Sequence, residues 1–167
     1  MSILLQERFE IPLAPVSINN FYYANKAHGI RSDARDWQHK MFFYLSQAQN
    51  AVGLERLRDK FVEGVHAYEF SIKFYVPAKK LMNGSGQLSS RAIDLSNCEK
   101  SILDVFCLPK HFDEPSPYGC KNLNIDDKHV IALTSRKVAG GTEPKMVVEV
   151  SIVPLIDSIK CDASVVD

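Results

Sequence analysis

The sequence predicts an α/β (α+β) domain, a mixed sheet of about four strands packed with two main helices. Three observations lead there. Apolar and polar residues alternate along 68–77. Apolar residues recur at helical spacing along 34–51 and 96–107. The stretches follow in the order strand, helix, strand, helix, strand, strand, a pattern that lays helices on a sheet.

Residues 9–13 read as a short first strand ended by prolines. Residues 15–20 form a turn or loop, and a polar, basic connection follows through Lys26, His28 and Arg31. Ser32 or Asp33 caps the first helix, along which Trp37, Met41, Tyr44, Leu45 and Ala48 make one apolar face. In the second strand Tyr68, Phe70, Ile72, Phe74 and Val76 point to one side. Lys79, Lys80, Asn83-Gly84-Ser85-Gly86 and Ser89-Ser90 mark residues 78–90 as a polar loop. The second helix stops before Pro109, and Pro115, Pro117 and Gly119 make 110–124 a long connection. Residues 130–138 and 145–153 read as strands joined as a hairpin through Ala139-Gly140-Gly141-Thr142. The domain covers 1–155, and 156–167 reads as a C-terminal tail.

With 46% apolar and 24% charged residues, the chain has the composition of a globular protein. No apolar run reaches the ~20 residues of a membrane span, and the first residues lack a signal-peptide pattern. Cys98, Cys107, Cys120 and Cys161 form no C-x-x-C pair, which sets aside a zinc ribbon or a redox motif. Buried free thiols fit a reducing cytoplasm. The five histidines have no metal-ligand spacing, and His129, two residues after Asp127, is the one to watch. Formal net charge is zero, so a nucleic-acid role requires charge unevenly placed on the surface.

Two stretches carry chemistry. On the second helix Asn97, Lys100 and Asp104 fall on one polar stripe. Cys98, Ile102, Leu103, Val105 and Phe106 fill the opposite arc, and Glu99 lies within that apolar arc. Asp94, just before the helix, reads either as a cap or as a site carboxylate. Asp126 and Asp127 precede a strand and read either as a solvated turn or as paired ligands. Carboxylates held together suit Mg²⁺, a hard cation that takes oxygen ligands. A lysine on the same face offsets charge developing on a phosphate. The combination suits phosphodiester hydrolysis.

The run Arg91-x-x-Asp94-Leu95-Ser96-Asn97-x-x-Lys100-x-x-x-Asp104 resembles the signature of RusA-type Holliday-junction resolvases, R-x-x-D-L-D-N-x-x-K-x-x-x-D. Asn124-Ile125-Asp126-Asp127-x-x-Val130 resembles the family's second motif, and Ser135-x-Lys137 its following strand. Pro15-Val16-Ser17-Ile18-Asn19-Asn20-Phe21-Tyr22-Tyr23 resembles its N-terminal P-P-S-x-N-x-x-Y segment. The four motifs stand in the family's order over about residues 9–153.

The resemblance implies a homodimeric endonuclease that binds branched DNA, above all four-way junctions, and makes paired nicks with Mg²⁺ or Mn²⁺. It implies Asp94, Asp127 and Asp126 as the metal carboxylates and Lys100 as a catalytic cation. Ser96, Asn97 and Asp104 would support them. Lys79, Lys80, Arg91 and Lys137 would meet DNA phosphates, or else form a solvated face. Asn20 lies in the matching N-terminal segment, and Tyr22 would stack on bases or pack in the core. The resemblance also suggests a phage or prophage origin. Ser96 departs from the pattern, since the family has aspartate there. A neutral hydroxyl removes one negative charge, so the alternative is a RusA-like protein that binds branched DNA or a protein partner without cutting.

Overall fold

A computed structural model of the chain describes residues 2–17, 32–89, 95–107 and 117–155. The described elements are β1 (Leu5–Ile11), α1 (Ser32–Leu45), α2 (Ala48–Lys60), β2 (His66–Val76), α3 (Ala78–Leu81), α4 (Leu95–Phe106), β3 (Val130–Ala139) and β4 (Lys145–Pro154). The four strands form one sheet in the order β1-β4-β2-β3. β4 runs antiparallel to β1 and β2, and β2 runs parallel to β3. This is the expected mixed sheet in an α+β fold. The expected tail, 156–167, lies outside the described residues.

β2 shows why the sheet folds as it does. Tyr68, Phe70, Ile72 and Phe74 stand opposite Ile152, Val150, Val148 and Met146 of β4, and all eight are buried. The ring of Phe106 on α4 closes this face, edge-on to Phe9 of β1 at 5.2 Å and to Phe70 of β2 at 5.8 Å. Edge-to-face contact suits the charge distribution of aromatic rings. α2 approaches β1 through Gly53, where a Cβ would stand 3.3 Å from both Glu7 Oε2 and Phe9 Cε1. The residues on the other side of β2 (Glu69, Ser71, Lys73 and Tyr75) are half-buried. There Lys73 meets Glu149 at 3.3 Å and Gln6 donates to Ser151 at 3.0 Å.

Three expectations are corrected. The first helix is not continuous over 34–51, because α1 ends at Leu45 and α2 begins at Ala48. Polar side chains take the carbonyls that a longer helix would have used. Ser46 Oγ donates to Phe43 O at 2.7 Å, Gln47 Nε2 to the same oxygen at 3.1 Å, and Asn50 Nδ2 to Tyr44 O at 2.8 Å. Such local bonds compete with the helical ladder. The described helices are therefore three of twelve or more residues and the short α3, rather than two.

The expected β3–β4 hairpin does not form, since β2 lies between those strands. The connection passes over the end of β2, where Gly140 N donates to Val76 O at 3.1 Å. Two strand spacings, about 10 Å, are within reach of this short connection. Burying the aromatic face of β2 favours its central position. β3, with exposed Thr134 and Arg136, suits the edge. Lastly, the polar loop expected over 78–90 opens with a helical turn, α3.

Candidate active site

α4 forms as its pattern predicts. Cys98, Ile102, Leu103, Val105 and Phe106 are buried, and Lys100 and Asp104 stand on the polar side. Their spacing of four residues makes an ion pair, Lys100 Nζ to Asp104 Oδ1 at 2.8 Å. The same ammonium meets Asp127 Oδ2, 27 residues away, also at 2.8 Å. The two motifs that the sequence singled out therefore converge on one lysine. The three groups together carry one net negative charge.

A fastened strap delivers Asp127 to that place. Arg58 on α2 donates to Lys121 O at 2.6 Å and Asn122 O at 2.9 Å. Asn122 Nδ2 donates to Val105 O at 3.1 Å and to Cys107 O, satisfying carbonyls at the C-terminus of α4. Leu123 N donates to Phe106 O at 2.8 Å. Asn124 then takes a left-handed conformation, φ 53°, with its N–H bonded to Asn122 Oδ1 at 3.0 Å. Asparagine tolerates that conformation better than most residues. Asp126 caps the 3₁₀ turn Asp127–His129, its carboxylate accepting from Lys128 N at 3.0 Å. The turn reading of this pair thus holds for Asp126, while Asp127 is turned toward α4.

Electrostatics follow from this packing. Burial lowers the proton affinity of Lys100, but hydrogen bonds to Asp104 and Asp127 outweigh it and raise its pKa above the ordinary lysine value. The Cys107 thiol is pushed up to about 12 by burial, with a further contribution from the charge of Asp127. Cys98 and Cys107 are buried outside any disulfide, as the sequence suggested, and Cys120 is buried as well.

Glu99, which sat in the apolar arc of the helical projection, has its explanation in β3. Its carboxylate accepts a hydrogen bond from Ser135 Oγ. A half-buried polar pair across the helix–sheet contact keeps a charged residue where periodicity calls for an apolar one. Sequence reasoning missed the roles of Arg58 and Asn122, because both act through backbone carbonyls and neither belongs to a motif. His129 pairs with Glu63 at 3.3 Å and packs edge-on against Phe61.

The expected site residues divide into three groups. Lys100, Asp104 and Asp127 meet directly, Asp126 adjoins them in the chain, and Ser96 and Asn97 lie in the first turn of α4. Lys79 and Lys80 are exposed on α3, which follows the C-terminal end of β2. Lys137 is level with Phe74 near that same end, roughly 20 Å from Val130 at ~3.3 Å per strand residue. The structure does not bring these three lysines to the carboxylates. Asn20, Tyr22, Arg91 and Asp94 lie outside the described residues. Among the described residues no three His, Cys, Asp or Glu side chains converge as a metal cluster. The donors that do meet at Lys100 are carboxylate oxygens, the chemistry that Mg²⁺ takes. Among the described residues no helix is long and apolar enough to cross a membrane. No protein-family model matches this sequence, and no curated protein matches it.

Proposed function

We propose that this chain is a Mg²⁺-dependent endonuclease that resolves four-way DNA junctions by paired phosphodiester hydrolysis, working as a homodimer in the cytoplasm of a bacterial or phage-infected cell. The carrying observation is the meeting of Lys100 with Asp127 at 2.8 Å, which joins the two resolvase-like motifs in space. Asp127 and Asp126, with Asp94 from the segment before α4, would hold the metal, and Mn²⁺ would substitute. When bound, the metal supplies polarisation of the phosphate and activation of a water.

The protein's own groups do the rest. Lys100 is held protonated by two carboxylates, so it keeps a full positive charge for the phosphate at neutral pH. Asp104 grips the ammonium from its own helix and fixes its direction. Asn97 and Ser96 stand one turn earlier on α4 and complete the polar stripe. Lys79, Lys80 and Lys137, at the far end of the β2–β3 pair, would meet phosphates of a junction arm, together with Arg91. Such contacts position the nucleic acid without reading its sequence.

A second reading rests on Ser96, which is exposed in the first turn of α4 where the resemblance calls for a carboxylate. One negative charge fewer weakens metal binding and leaves a protein that binds branched DNA, or a protein partner, without cutting. A labelled four-way junction and a linear duplex, incubated with Mg²⁺, Mn²⁺ or chelator beside Asp127→Asn, separate the two. Symmetric metal-dependent nicks that vanish in the variant support the nuclease. Binding without nicks, converted to cutting by Ser96→Asp, supports the second reading. Nicking that persists in Asp127→Asn overturns the site assignment.

A further inference from the structure

The loop that follows α3 holds Asn83-Gly84, the one asparagine–glycine pair in the chain. The loop is closed at its base by pairing of Met82 with Leu88 and by Asn83 N donating to Gln87 O at 2.8 Å. Within it three donors converge on one oxygen. Asn83 Oδ1 accepts from Ser85 N at 3.1 Å, Ser85 Oγ at 2.7 Å and Gln87 N at 3.0 Å. A side-chain amide oxygen has two lone pairs, so three donors exceed what turn formation needs. The whole loop 82–88 is exposed, and a Cβ built on Gly84 would meet no atom within 4 Å.

We propose that Asn83–Gly84 is a self-modifying site, in which the chain cyclises at this pair and hydrolysis leaves aspartate or isoaspartate at position 83. The Gly84 nitrogen gives its proton to hydroxide and attacks Asn83 Cγ, forming a C–N bond. The Cγ oxygen gains negative charge as the tetrahedral centre forms. Ser85 N, Ser85 Oγ and Gln87 N already point at that atom, an arrangement that stabilises a developing oxyanion. The centre collapses with loss of Nδ2 as ammonia, which takes its last proton from water. Water then opens the resulting five-membered succinimide at either carbonyl. Glycine suits the attacking position because it has no side chain to hinder approach. No oxidant, metal or other protein is needed.

The intact protein and the same protein in urea are held in mildly alkaline buffer. Each is then mapped by peptide mass spectrometry and isoaspartate labelling. In the folded protein Asn83 converts ahead of every other asparagine and faster than in urea, through a species lighter by one ammonia. Ser85→Ala slows the folded protein several-fold and leaves the urea rate unchanged. Gly84→Ala, which the open space around the loop accommodates, slows conversion strongly in the fold and in urea alike. Two results overturn the proposal. One is an Asn83 that stays intact in the fold while it converts in urea. The other is a folded rate that Ser85→Ala does not change.

Discussion

At one end of the β2–β3 pair, Lys100 and Asp127 meet at 2.8 Å on elements that are tied to the core. At the other end, Lys79, Lys80 and the loop 82–88 lie on the surface beyond Pro77. The first end owes its geometry to buried neighbours. Ile102, Val105 and Phe106 seat α4 on the sheet, and Arg58 and Asn122 fasten the strap that carries Asp127. The second end owes little to packing, since Leu81 is the buried residue of α3. Chemistry that needs sub-ångström placement belongs at the first end. Under the proposed function, contacts that need only charge would fall to the second.

That contrast breaks if the acidic end is insensitive to its core. Phe106→Ala removes the ring that α4 places between Phe9 and Phe70, and an unfilled site of this kind costs about 3–5 kcal/mol. Denaturant unfolding measures it. Loss below about 1 kcal/mol would mean that α4 is not anchored as described. Asp127→Asn keeps shape and removes one of the two negative charges beside Lys100. Junction cleavage falls roughly 10²–10³-fold with unfolding close to wild type.

Alkaline pH offers a milder probe of the same end. The Cys107 thiol ordinarily titrates at 9.0 and is held up to about 12 in the fold. Between those values the unfolded chain has lost a proton that the folded chain keeps. The folded state then binds more protons, and stability falls as pH rises. Lys100, whose pKa is also raised, acts in the same direction: its contribution is full below the ordinary lysine value and is lost above its folded one. Chemical denaturation across this range, in wild type and Cys107→Ala, reads the effect. The variant has the shallower decline.

Much of this was legible in the residues themselves. The alternation of Tyr68 through Val76 and the buried arc of α4 are local patterns with one outcome. The polar stripe Asn97, Lys100 and Asp104 marked the helix face that Asp127 later meets. The order of strands was not legible. A glycine-rich turn between two strands signals a hairpin, and nothing local in it reveals that β2 takes the place between them. The break between α1 and α2 escaped for a related reason. Ala48 and Ala51 prolong the apolar rhythm, while the side chains of Ser46, Gln47 and Asn50 turn back to the carbonyls of Phe43 and Tyr44. Glu99 was visible as an exception to the pattern, and only Ser135 on another element accounts for it.

The basic end responds more weakly and more uniformly. Lys79→Ala and Lys80→Ala each reduce the salt dependence of junction binding by about one phosphate contact and lower affinity alike for all sequences. Filter binding across a salt series measures both. A sequence-selective loss would contradict a purely electrostatic role. The smallest effect comes from position 83, on the same surface and three residues from Lys80. Asn83→Asp places there the charge that cyclisation and hydrolysis would leave. Against Asn83→Gln, it weakens junction binding roughly two- to threefold at low salt, and the difference vanishes as screening shortens the reach of the charge. Equal affinities at low salt would mean that Lys79 and Lys80 meet no phosphate. Modification of Asn83 would then be a chemical property of the loop, without consequence for DNA.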